Sequence, residues 1–343
     1  MPKRVGYLWE KLTSWQNLYL AYKNACKHKK SKYETAEWMF YCEKNLWELQ
    51  KDLINGNYRP QPYRYFTIKE PKERLISVAV FRDRLVHHSL INVIEPYFES
   101  IFIKDSYATR KGKGLHLAVL AVQKYSRQYP WFLKLDIEKF FNNIDHNILL
   151  KLISSKIKDP MIINLCSIIL KNQNLSMNHN EEIGLPVGNL TSQFFANIYL
   201  NQLDHYIKQN LGYKGYVRYM DDFILFSENK DKLKSDLLLI KYFLSNILKL
   251  KIKDKSIQMN KVNQGIPFLG YRVFPKLIRV SNINLKRCLQ NMQKREKEYI
   301  RGKIEIEKLY QSTRSRLGFI SFANTYYLQK LIWGGVHKAE PTV

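Results

Sequence analysis

Two aspartates side by side, Asp221 and Asp222, interrupt the stretch GYVRYMDDFILFS, which otherwise reads as alternating β-structure. A two-residue turn between antiparallel strands needs positive φ and normally takes Asn-Gly or Asp-Gly. Met220-Asp221 offers no glycine. Either the chain makes an ordinary solvated turn here, or it tolerates backbone strain in order to aim a carboxylate. Unstrained φ at both Met220 and Asp221 would rule out the second reading.

The charge balance bounds what such a carboxylate could serve. The 343 residues carry 56 Lys and Arg against 30 Asp and Glu, a net charge of +26. An excess of that size points to a polyanionic partner, most simply nucleic acid. The basic residues are interleaved with 23 Tyr and 17 Phe, which suits a folded channel that tracks phosphates and stacks bases. Cys26, Cys42, Cys166 and Cys288 have no CxxC spacing, so neither a zinc site nor a disulfide framework is expected. No segment reads as a signal peptide or a membrane span, and a cytoplasmic location is the expectation.

Along the chain, residues 34–54 place Trp38, Tyr41, Cys42, Leu46, Leu49 and Leu53 at helical spacing, and Asn55-Gly56 ends the run. YRYFTI and RLISVAV, split by KEPKE, read as a hairpin; FRDRLVHHSLINVIEPYFES is a helix ending near Pro96. Further helices are expected at 115–128, 159–172, 189–212 and 231–248, and PFLGYRVFP reads as one short strand. Strands and helices mix without regular βαβ alternation. The expected class is therefore α+β with a mostly antiparallel sheet.

A second acid follows an apolar strand in WFLKLDIEKFFNNIDH. Asp136 stands at a strand end, where a buried carboxylate needs a reason. Paired with Asp221 and Asp222 it has one, since three carboxylates can hold two divalent ions about 3.5–4 Å apart. Taken singly, Asp136 reads as a cap and the paired acids as a solvated loop. Asp145 and Glu138 read as helix-start or surface acids, and His87, His88 and His146 as structural.

Several stretches, in order, resemble a reverse transcriptase of the bacterial, group II intron-like lineage. YMDD resembles that family's catalytic hairpin, and LDIEKFFNNIDH the strand carrying its first aspartate. ERLISVAVFRDRLVHHSLINVIEPYFE and SYATRKGKGLHLAV resemble its fingers blocks. GLPVGNLTSQFFANIYLNQLD resembles its template-gripping segment, and PFLGYRVF its primer grip. The resemblance covers roughly residues 60–280. It implies a right-hand polymerase with N-terminal helices and fingers at 1–125, a palm at 126–280 (146–185 helical and partly fingers) and a helical thumb at 281–343.

That resemblance further implies Asp136, Asp221 and Asp222 as metal ligands, helped by the Ile137 carbonyl, for two Mg²⁺ ions, with Mn²⁺ a possible substitute. Asp221 is expected to face Asp136, and Asp222 to point the other way. Phe141 matches the steric gate against a ribose 2′-hydroxyl. Lys69 and Arg74 match residues that hold the incoming triphosphate, and Lys72, Arg82 and Arg110 are further candidates. For each of these bases, a solvated surface charge is the competing account. The implied partners are template RNA, the cDNA or primer strand and dNTPs.

One segment departs from the common pattern. Where many reverse transcriptases read Gln-Gly-x-x-x-Ser-Pro, this chain reads VGNLTSQ, with Val187 and Gln193 at the divergent positions. That ending resembles the enzymes of diversity-generating retroelements, which copy RNA with errors at adenines and work with a basic accessory variability protein. Loss of a hydrogen-bonding side chain beside the nascent pair removes a contact worth about 1 kcal/mol. The short stretch after the primer-grip-like segment leaves room for a helical thumb. Group II intron-like, retron and abortive-infection enzymes, and a non-catalytic RNA-binding relative, remain the alternatives.

Overall fold

A computed structural model of the chain describes residues 4–27, 29, 33–69, 73–172 and 182–330. The N-terminal part is helical: α1 (Trp9–Thr13), α2 (Trp15–Cys26), α3 (Tyr33–Phe40) and α4 (Cys42–Ile54). The continuous helix expected over 34–54 breaks at Tyr41, which leaves helical geometry at ψ +32. The break lets Trp38 pack on Phe81 while Leu46, Leu49 and Leu53 enter the main core from one face of α4.

β1 (Arg64–Ile68) and β2 (Arg74–Val78) form the expected antiparallel hairpin. α5 (Phe81–Glu99) continues past Pro96 instead of stopping there. Proline removes one backbone hydrogen bond, and burial of Phe98 two residues on offsets that loss. Next come α6 (Leu115–Ser126), β3 (Trp131–Asp136), α7 (His146–Lys156) and α8 (Pro160–Lys171). Asp145 caps α7 by accepting from the Ile148 amide. Asp159 caps α8 and also accepts from the amides of Leu8 and Trp9, which ties the N-terminal helices to the body.

α9 (Leu190–His205) leads through a π-turn to β4 (Tyr216–Tyr219), β5 (Asp222–Ser227), α10 (Lys230–Ile247) and β6 (Gln258–Lys261). The PFLGYRVFP segment is two strands, β7 (Ile266–Phe268) and β8 (Tyr271–Val273), where one was expected. Leu269 and Gly270 both take positive φ between them, the pattern of a type I′ hairpin turn. β9 (Ile278–Val280), α11 (Asn282–Ile300) and α12 (Ile306–Ser321) follow.

The central sheet runs β4-β5-β3-β6, every pair antiparallel. Its strands send alternate residues into two different cores. Leu133, Leu135, Phe223 and Leu225 join the large helical core, whereas Phe132, Val217, Ile224 and Phe226 join a smaller one built from α6 and the β7-β8-β9 sheet. β5 is consequently buried along almost its whole length instead of alternating between core and solvent. The fold is α+β, as the sequence led us to expect.

Candidate active site

The three aspartates meet at one end of the central sheet. Asp136 is the last residue of β3 and pairs directly with Asp222, the first of β5. Cross-strand partners share a face, so Asp222 opposes Asp136. This corrects the expectation that Asp222 would point away; Asp136 is also the strongest charge acting on Asp221. Asp221 still lies within reach, for the Asp136 charge acts on both of its neighbours.

Tyr219 pairs with Asp222, leaving Met220-Asp221 as a two-residue turn. Met220 takes φ +57 while Asp221 does not enter the left-handed region. A long apolar side chain is seldom found there, so the strained alternative is the one the chain adopts. Strain of this kind persists only where surrounding structure enforces it.

Arg218 supplies that enforcement. It is fully buried in β4, and its guanidinium donates to Met220 O (3.2 Å), to Asn197 Oδ1 (3.1 Å) and to Ser106 Oγ (3.0 Å). A bidentate pair with Asp204 at 2.7 and 2.6 Å balances its charge, and Tyr216 donates to the same carboxylate. Burial works against the charged guanidinium, but Asp204 more than compensates and raises its pKa.

Asp221 and Asp222 are costly to ionise. Burial, reinforced by the Asp136 charge, pushes Asp221 up to about 6, with Arg74 and Arg218 pulling the other way. Burial pushes Asp222 up to about 7 against the opposing pull of Lys134. The Lys134 ammonium stands 3.0 Å from Asp222 Oδ2. Asp222 Oδ1 is buried without a hydrogen-bond partner. An orphaned carboxylate oxygen beside two further acids fits a divalent cation that keeps part of its shell as water and phosphate oxygens. The side chains do not form a closed cage: among the described residues no three acidic, His or Cys groups converge as a metal site. Ile137 bridges to Ile252 through the Glu138 amide and the Asp136 carbonyl, so its own carbonyl stays outside that pairing.

Phe140 fills the core, whereas Phe141 is half-buried against it. The Phe141 carbonyl accepts from the Leu185 amide at 2.7 Å, fixing it to the loop before α9. That loop in turn lies on β2, because the Val187 carbonyl accepts from the Ser77 amide at 2.8 Å. Gly188, at φ +114, approaches so closely that a Cβ would sit 2.7 Å from Ile76 Cγ2. Gln193 lies in the first turns of α9 and donates its amide to Asn189 O, a bond that a proline could not make.

The basic candidates divide. Arg74 is exposed at the start of β2 and acts electrostatically on Asp221, and Lys69 is exposed just after β1. Lys72 lies outside the described residues. Arg82 and Arg110 are engaged elsewhere. Arg82 pairs with Asp52 at 2.6 Å and packs over Tyr58; Arg110 forms a bidentate pair with Glu99 and donates to the carbonyls of Ile103 and Ser106. The expectation that they face a triphosphate is corrected accordingly. Of the histidines, burial pushes His87 down to about 3, and His146 bonds the Gly184 carbonyl, both structural roles.

A family profile for reverse transcriptase (RNA-dependent DNA polymerase) matches residues 68–273, from the end of β1 through β8. The chain belongs to the reverse transcriptase family. This family member is 31% identical over 201 residues to the group II intron-encoded protein LtrA of Lactococcus lactis, a match covering 56% of this chain and 33% of LtrA. It is 24% identical over 278 residues to the protein YkfC of Escherichia coli, covering 69% of this chain and 73% of YkfC. The chain thus spans about a third of LtrA. Among solved structures, apo telomerase from Candida tropicalis overlays with a TM-score of 0.50 at 13% identity, over 68% of this chain and 53% of the telomerase chain. At that identity the likeness is one of fold, and the fold is that of a right-hand polymerase. Among the described residues no helix is long and apolar enough to cross a membrane.

Proposed function

We propose that this chain is an RNA-directed DNA polymerase, extending a primer 3′-end with deoxynucleotides along an RNA template and releasing pyrophosphate. The observation that carries the reading is the meeting of Asp136, Asp221 and Asp222 at one sheet end, beside a strained turn that aims them. Those carboxylates, with the Ile137 carbonyl, would hold two Mg²⁺ ions (or Mn²⁺ in their place). When bound, such ions lower the pKa of an attacking hydroxyl and neutralise the leaving phosphates. Arg74 and Lys69 face the incoming triphosphate from the β1–β2 hairpin and stabilise its developing charge. Phe141 occupies the space a ribose 2′-hydroxyl would need, which excludes ribonucleotides by clash. In this reading fingers, palm and thumb follow the expected divisions at residues 125 and 280, and the +26 charge serves template RNA and cDNA. The test is primer extension by Asp221→Asn: loss of cDNA is expected, and synthesis at the parental rate would overturn the assignment.

For the lineage, the similarity to intron-encoded relatives favours a group II intron-like enzyme. VGNLTSQ favours a second reading, an error-prone enzyme of a diversity-generating retroelement with an accessory variability protein. Val187 presents an aliphatic surface where a glutamine would offer hydrogen bonds, which removes one discriminating contact. Sequencing cDNA made on a defined template decides between them. Errors concentrated at adenines, reduced in Val187→Gln, support the second reading; errors spread evenly over four bases support the first.

A further inference from the structure

Lys134 is absorbed by none of the roles above. It lies two residues before Asp136 on β3 and therefore on the same face of the sheet. A strand lysine ordinarily reaches solvent, yet this side chain is only 15% exposed. Its ammonium makes two contacts at once, to Asp222 Oδ2 at 3.0 Å and to the Pro267 carbonyl at 2.9 Å. The ammonium also lies over the Phe268 ring, 5.9 Å from its centroid.

The second contact is what separates this lysine from a simple counter-ion. Pro267 belongs to the β7–β8 hairpin, whose three-stranded sheet shares no strand pairing with the central sheet. Apolar packing through Phe132, Ile224, Ile266 and Phe268 joins the two sheets but sets no register between them. A charge-assisted hydrogen bond to a backbone carbonyl does set one, because distance and direction are both constrained.

We propose that Lys134 is a positioning residue that fixes the β7–β8 hairpin at a set distance from the catalytic carboxylates, so that a primer end resting on that hairpin is delivered to Asp222. This rests on the polymerase reading, with the hairpin taken as the primer grip that PFLGYRVF resembles. It has a second consequence. The ammonium that steadies the hairpin also occupies one oxygen of Asp222, so a divalent ion must share that carboxylate with it.

Lys134→Met, which keeps the stem and removes the charge, therefore moves two readouts in opposite directions. Affinity for a fluorescent RNA–DNA primer–template, measured by anisotropy in EDTA, falls by about tenfold, the size of one charge-assisted hydrogen bond. The Mn²⁺ concentration that half-saturates heat stabilisation falls too, meaning tighter metal binding. A lysine that merely supported the fold would weaken both when removed. Hydrogen exchange completes the test without relying on catalysis: amides of 266–273 exchange faster in the variant while β3 and β5 stay protected. Lys134→Arg keeps the charge and retains most of the primer–template affinity. Unchanged hairpin exchange, unchanged primer–template affinity or an unchanged Mn²⁺ midpoint in Lys134→Met overturns the proposal. Parental protein that binds no primer–template sinks the polymerase reading instead, and the parental control shows this directly.

Discussion

Arg218 makes a demanding prediction because its structural and functional roles can be separated. Removing it alone, as Arg218→Met, strands the Asp204 carboxylate in a site with no solvent access. Breaking a buried pair in this way costs about 3–5 kcal/mol. Replacing both partners by apolar groups of similar volume is often close to neutral, since neither charge then needs to be desolvated. Tyr216 complicates the exchange, because its hydroxyl donates to Asp204 and would be left unpaired at a cost of about 1–3 kcal/mol. The informative variant is thus Arg218→Met with Asp204→Leu and Tyr216→Phe. Its urea midpoint is expected to rise well above that of Arg218→Met while staying below the parental value, because Asn197 Oδ1 and Ser106 Oγ also lose their donor. Its primer extension on an RNA template is not expected to rise with it. The Met220 carbonyl has lost the donor that held it, and a shift of about 1 Å in a catalytic group costs on the order of a hundredfold in rate. A triple variant that recovers stability and extension together would show that Arg218 holds up the fold and nothing more.

Further substitutions probe other parts of the site. Asp222 has a folded-state pKa of about 7, above its ordinary 3.8, so its contribution to stability is fully present below about pH 4 and is lost as pH rises through 7. In EDTA at pH 8, Asp222→Asn should therefore melt above the parent, by roughly 2 kcal/mol after the weakened Lys134 contact is allowed for. The difference should close towards pH 4 while cDNA synthesis is lost; a variant that melts lower at pH 8 would contradict the burial argument. Gly188→Ala places a methyl group against Ile76 in a left-handed backbone conformation. A raised KM for dNTP, with primer–template affinity kept, is the expected result, and unchanged kinetics would mean the loop does not need its contact with β2. Phe141→Ala should admit ribonucleotides in a competition assay, and undiminished discrimination would remove Phe141 as the gate.

What could be read from the sequence follows the range of the interactions involved. The hairpin at Met220-Asp221 was legible because turn chemistry is local: the absence of glycine where one is favoured marked the strain. Phe141, given by the resemblance, lies half-buried beside the core residue Phe140. Arg218 and Lys134 were not legible. Their partners, Asp204, Ser106 and Pro267, lie 14, 112 and 133 residues away, and no local spacing announces such pairs. In hindsight each left a trace, a lone charge inside an otherwise apolar strand. Arg82 and Arg110 misled for the complementary reason, since a basic residue in a motif looks the same whether it meets a phosphate or Glu99. The β7–β8 hairpin was missed because Leu269 supplies a positive φ that glycine or asparagine would ordinarily provide.

A sheet wrapped on both faces has consequences for how this chain can change. β3 and β5 are walled in above and below by two cores, so chemistry can be installed only where the strands run out. Asp136, Asp221 and Asp222 crowd that margin. Apart from Lys134, the interiors of both strands are apolar, and variation enters most readily through whatever borders the margin: the turn, the loop resting on β2, and the hairpin held by Lys134. Under the proposed polymerase activity, a change in what is copied, or how faithfully, can then be written in three short segments while the platform beneath them stays as it is.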